Sequence, residues 1–189
     1  MVRQEPDHAA LEGHGQLDDD PRRRRRPPEF REFAVSQARH LVRTAYLLTG
    51  GDAHLAEDLA QEALGKLYGS WRRISRMENP AGYARTVLVN TFLSHRCRRS
   101  SSERVTDTFA EAPGRGDDPA LRVALLGVLA ELPQQDRAVL VLRYWEDLGV
   151  EETAAALRLT PSAVRSRASR ALARLRTRLG DQFDDLARP

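Results

Sequence analysis

The stretch VEETAAALRLTPSAVRSRASRALARLRTRL, residues 150–179, decides the fold. Thr160 followed by Pro161 supplies an N-cap and a preset first position, so a helix is expected over 161–179. At about 100° per residue, Val164, Ala168, Ala171, Leu172, Leu175 and Leu179 fall within one arc the width of a buried face. Opposite them runs a stripe of small side chains, Ser162, Ser166, Ser169 and Ala173. Arg165 and Arg176 flank one edge of the stripe, and Arg167, Arg170 and Arg174 the other. Small residues let a helix backbone approach the floor of a major groove, and arginines at the rim reach phosphates or guanine O6 and N7. A shorter helix over 149–157, with Ala154, Ala155 and Ala156 for close contact, precedes it across the turn Arg158-Leu159-Thr160. That is a helix-turn-helix arrangement. The competing reading is an amphipathic hairpin whose arginines only solvate its surface. Against it, Arg158 to Arg178 holds seven arginines and no acid, where a solvated helix interleaves the two signs.

Working outward, apolar residues at helical spacing predict two more helices upstream, 119–131 and 134–145, which makes residues 119–180 a four-helix domain. Before it, residues 100–118 are rich in Ser, Asp, Gly and Pro and lack periodicity, so they read as a flexible linker. Residues 30–99 form a second helical block, with helices expected at 30–48, 53–70 and 80–98, broken by Gly50-Gly51 and Asn79-Pro80. Trp71 and Ile74 fit a short helical turn packed back on that bundle. Residues 1–29, with Asp18 to Asp20 and then Arg22 to Arg26, read as a disordered Arg-rich extension, and 181–189 as a C-terminal tail. No segment alternates with period two. The expected fold is all-α: two small helical domains joined by a flexible linker, the second a helix-turn-helix four-helix domain.

Composition narrows the function classes. Of 189 residues, 41% are apolar and 30% charged, enough to bury a core in each domain, and no apolar run approaches the roughly 20 residues of a bilayer span. The cytoplasm is the expected compartment, with no membrane contact of its own. Cys97 is the only cysteine, and His8, His14, His40, His54 and His95 make no zinc spacing with it, so neither metal nor cofactor is expected. The net charge of +3 is modest, but Arg96 to Arg104 adds four arginines against one acid. Two basic segments point to a polyanion touched at two places.

The first block carries two more candidate surfaces. A wheel over 52–70 gathers Glu57, Asp58, Gln61 and Glu62 on one face, with Ala56, Leu59, Ala60, Ala63 and Leu67 turned to the core. An acidic face on a chain with basic patches points to a basic protein partner. No His, Ser or Cys nucleophile accompanies these carboxylates, so no enzyme is expected. The helix after Pro80 carries Tyr83, Arg85, Asn90, His95 and Arg96, a mixture of aromatic, amide and guanidinium groups that suits unstacked bases.

Four blocks, AEDLAQEALGKLY (56–68), NPAGYARTVLVN (79–90), LAELPQQDRAVLVLRYWEDLGVEETAAAL (129–157) and TPSAVRSRASRALARLR (160–176), closely resemble the extracytoplasmic-function sigma factors of the sigma-70 superfamily, in an actinobacterial-type subgroup. The resemblance implies a factor that binds core RNA polymerase and directs promoter recognition, DNA melting and transcription initiation. It assigns Glu57, Asp58, Gln61 and Glu62 to the clamp coiled coil of the largest polymerase subunit, with the flap of the second-largest subunit as a further contact. Asn79, Tyr83, Arg85, Asn90 and Arg96 are assigned to the minus-ten element, and Ser162, Arg165, Ser166, Arg167, Ser169, Arg170 and Arg174 to the minus-35 element. An anti-sigma factor is a further partner that the family implies. Gly149 stands where members often have a Ser cap, and Thr153 where they often have an aliphatic residue, which predicts a less stable first helix of the helix-turn-helix. Two other readings remain: a free-standing helix-turn-helix regulator of double-stranded operators, and a nuclease holding a metal on Glu57, Asp58 and Glu62.

Overall fold

The computed structural model describes residues 27–99 and 119–180; the extension before Pro27, the linker 100–118 and the tail 181–189 lie outside the described residues. The first half contains α1 (Pro27–Thr49), α2 (Ala53–Gly69), the single turn α3 (Trp71–Ile74) and α4 (Pro80–Arg99). The second contains α5 (Pro119–Glu131), α6 (Gln134–Leu140), a π-helical turn (Val141–Trp145), α7 (Val150–Leu157) and α8 (Pro161–Leu179). No strand occurs among the described residues. The start of α1 at Pro27 moves the expected boundary of the extension inward, since Pro is tolerated in the first turn of a helix.

Helix ends follow local chemistry. Asp52 accepts a hydrogen bond from the Leu55 amide at 2.9 Å to cap α2, and Thr160 accepts from the Ala163 amide at 3.2 Å to cap α8. Between α1 and α2, Gly50 and Gly51 have φ of +72° and +100°, which side-chain-bearing residues rarely adopt. The predicted inner face of α2 is buried throughout: Ala56, Leu59, Ala60, Ala63 and Leu67. It packs with Leu41, Ala45 and Leu48 of α1 and with Ala84, Leu88 and Val89 of α4, where the alanines let the helices approach closely. The α1 aromatics hold the bundle's far end, with Phe33 4.6 Å and Phe30 5.3 Å from the Trp71 ring.

One core runs through both halves. The cluster built on α1, α2 and α4 continues into Ala138, Val139, Val141 and Leu142, then Ala154, Ala156 and Leu157, and reaches Val164 and Ala168 of α8. A smaller cluster under α5 and α8 takes in Leu47 of α1. A Cβ on Gly50 would stand 2.7 Å from the Ala130 Cβ, so the α1–α2 turn lies directly on α5. The expected helix 134–145 is thus two pieces, and the two halves, expected to hang on a tether, are packed together.

Candidate nucleic-acid and polymerase interfaces

The π-helical turn sets the geometry between the halves. Its wider winding sends the Leu148 amide to the Leu142 carbonyl at 3.0 Å and leaves Asp147 at a φ of 50°. Glu146, at its end, is thereby carried inward, and its side chain is 0% exposed. Every printed partner of that carboxylate belongs to the first half. His40 Nε2 lies 2.8 Å and Arg85 Nη1 3.0 Å from Oε2, and the Thr44 hydroxyl donates to Oε1. A buried carboxylate demands such compensation, because desolvation costs several kcal/mol per ion.

A second buried charge fastens the same boundary. Arg137 of α6 is 2% exposed and donates to the Leu48 carbonyl at 2.9 Å, to Ala130 at 3.0 Å and to Leu132 at 3.2 Å. It also lies 5.8 Å from the centroid of the Phe92 ring. One guanidinium therefore satisfies carbonyls left over at the C-termini of α1 and α5. Neither Glu146 nor Arg137 was singled out by the sequence analysis. The signal was present: Glu146 comes four residues after Leu142 and seven after Val139, on the apolar stripe of a continued helix, where a charge needs a partner.

On α8 the predicted division of faces holds. Val164, Ala168, Ala171, Leu175 and Leu179 are buried, while Ser162, Arg165, Ser166, Ser169, Arg170, Ala173 and Arg174 are exposed. Arg165 pairs with exposed Glu151 at 3.3 Å, a contact a ligand can displace cheaply. Arg167 differs: it is 2.6 Å from Asp136, whose side chain is 7% exposed, and so serves packing within the second half. Beside α8, Tyr144 and Trp145 of the π-helical turn are 58% and 49% exposed, over a groove also lined by Arg143, Ser169 and Arg176.

The α2 candidates stay together on the surface. Glu57, Asp58 and Gln61 are exposed, while Glu62 is half-buried and 2.8 Å from Lys66, which also donates to Thr91 at 2.9 Å. No group of three or more metal-ligating side chains occurs among the described residues. On α4 the five candidates separate. Asn79, Tyr83 and Asn90 fall within about 40° of one another on the helix, but Arg85 and Arg96 lie on the opposite side. Asn79 Oδ1 accepts from the Gly82 amide at 2.7 Å and so caps the helix, Tyr83 is half-buried and Asn90 is exposed. Arg85 is held by Glu146, and the Arg96 and Cys97 side chains lie outside the described residues.

The helix after Gly149 bears out the sequence's warning in part. Glu152 accepts from the Gly149 amide at 2.8 Å, which replaces half of the missing cap. The Thr153 hydroxyl, 0% exposed, finds no hydrogen-bond partner among the described residues.

Comparison with known proteins gives a consistent assignment. The model described as Sigma-70 region 2 matches residues 33–102, and that described as Sigma-70, region 4 matches residues 122–175. The RNA polymerase sigma-E factor of Streptomyces coelicolor is 38% identical over 153 residues, covering 80% of this chain and 86% of that one. The ECF RNA polymerase sigma factor SigE of Mycolicibacterium smegmatis is 29% identical over 169 residues, covering 85% of this chain and 65% of that one. Among solved structures, the sigma factor RpoE of Bartonella quintana, seen in complex with the anti-sigma factor NepR, superimposes with a TM-score of 0.68 at 23% identity, over 81% of this chain and 98% of that one, a likeness of fold. With both matched regions in order on an all-α chain, this protein belongs to the sigma-70 superfamily of RNA polymerase sigma factors, in its extracytoplasmic-function group and of the actinobacterial type.

Proposed function

We propose that this sigma factor divides its work between the two halves: residues 30–99 grip core polymerase and the minus-ten element, and residues 119–180 read the minus-35 element. It is a non-enzymatic initiation factor for promoter recognition. The observation that carries the division is α8, whose exposed floor of Ser162, Ser166, Ser169 and Ala173 is bordered by Arg165, Arg170 and Arg174 while its other face is core. Such a helix reads the major groove.

The acidic surface of Glu57, Asp58, Gln61 and Glu62 meets the clamp coiled coil of the largest polymerase subunit. The flap of the second-largest subunit engages the second half. Asn90 and Tyr83, with the Asn79 cap, offer an amide and an aromatic ring to an unstacked base, whose capture offsets unstacking of a few kcal/mol. Arg96 supplies phosphate contact from the other side of α4. Arg167 is left out of the DNA surface because Asp136 holds it inward. An anti-sigma factor and a cytoplasmic location complete the reading; no helix among the described residues is long and apolar enough to cross a membrane. The free-standing regulator is disfavoured by the first half, which matches a polymerase-binding sigma region.

Run-off transcription with purified core polymerase on genomic fragments tests this. Defined transcripts that require this protein are expected. A specific duplex shift by the protein alone, with no transcript, would instead establish the regulator.

A further inference from the structure

We propose that the contact between the two halves is a self-locking device, closed by Glu146 of the π-helical turn on His40, Thr44 and Arg85, which must open before both promoter elements can be engaged. The inference rests on the two-element reading given above. Three features mark the boundary as a built contact. Glu146 is fully buried and its printed partners all lie across the boundary. Arg137 reaches across it to the Leu48 carbonyl. Gly50 admits Ala130 at a distance that any side chain would block.

Dimensions make the closed form incompatible with a complete promoter. The minus-ten and minus-35 elements stand about 25 base pairs apart, or roughly 85 Å of duplex at 3.4 Å per step. A compact body of about 135 residues has a radius of gyration near 14 Å, hence a diameter of roughly 35–40 Å. It cannot lay one half on each element. Once parted, the halves are joined by residues 100–118, whose extended reach is at most roughly 65 Å, which added to the halves' own size covers the distance. The recognition face of α8, Asn90 of α4 and the acidic face of α2 are all exposed in the closed form. Closure therefore leaves each surface open to a single partner and forbids only their joint use. The apparent affinity for a two-element fragment falls by the fraction of molecules that are open. Polymerase, by binding the halves at separate places, selects the open form.

The test uses the full-length chain with Cys97→Ser and donor and acceptor dyes on His54→Cys and Thr177→Cys, both exposed and outside the lock. Glu146→Gln, with His40→Ala as a milder second variant, should lower energy transfer. It should raise the free chain's affinity for a forked fragment carrying both elements by about tenfold or more, which is 1.4 kcal/mol of closure. Affinity for fragments bearing one element should not change, nor should polymerase-dependent transcription. Circular dichroism identifies a variant that has lost helix, and the other variant then carries the test. Unchanged energy transfer in both folded variants overturns the lock. Lowered transfer without a gain confined to the two-element fragment overturns its role in promoter binding. Failure of the unmodified chain to support transcription with core polymerase would instead sink the function on which the inference rests.

Discussion

Replacing Arg137 by Met should destabilise the protein more than any change on the DNA-facing surface. Methionine keeps the length and the apolar stem but abandons the carbonyls of Leu48, Ala130 and Leu132, which Arg137 now satisfies at 2.9–3.2 Å. Hydrogen bonds to a charged donor contribute about 1.5–3 kcal/mol each, so three give a gross loss of about 4.5 kcal/mol at the lower bound. Part returns because a buried guanidinium is no longer desolvated, and part because carbonyls at a loosened boundary take water. A net loss of about 2–4 kcal/mol is expected. For a body of this size that is roughly 6–12 °C in Tm. Urea unfolding followed by circular dichroism, with calorimetry on the same samples, measures it. A loss under about 1 kcal/mol would refute the claim that Arg137 fastens the two halves, since the C-terminal carbonyls of α1 and α5 would then have equivalent partners without it.

Arg165→Ala and Arg170→Ala should each weaken minus-35 binding by about 1–3 kcal/mol where the arginine makes a bidentate base contact, with little change in stability because both side chains are exposed. Unchanged promoter affinity in both would overturn the recognition-helix assignment. Thr153→Val should raise stability by about 1 kcal/mol, since it swaps an unpartnered buried hydroxyl for a methyl of the same shape; destabilisation in urea would mean that the hydroxyl is bonded. Asp58→Arg reverses the charge at the centre of the acidic α2 face and should abolish co-purification with core polymerase while far-ultraviolet circular dichroism stays unchanged. Normal co-purification would remove that face from the polymerase contact.

The sequence alone determined what depends on neighbours along the chain. Helical periodicity, the Thr160-Pro161 start and the Gly50-Gly51 break are short-range effects, so α2, α5 and α8 lie within a residue of their expected bounds and show the expected buried faces. The candidate surfaces on α2 and α8 were legible for the same reason: a wheel needs only residue spacing. On α4 the same wheel, carried one step further, would have parted Arg85 from Asn90. Tertiary structure decided the rest. Whether an arginine on α8 faces solvent or a buried acid depends on Asp136, 31 residues away in the chain, and that alone withdrew Arg167 from the DNA surface. The π-helical turn, the burial of Glu146 and the reach of Arg137 to Leu48 depend on charges 61 to 106 residues apart that find each other only after the helices pack. A charge on an apolar stripe announces that it needs a partner, but only the folded chain says which one it has.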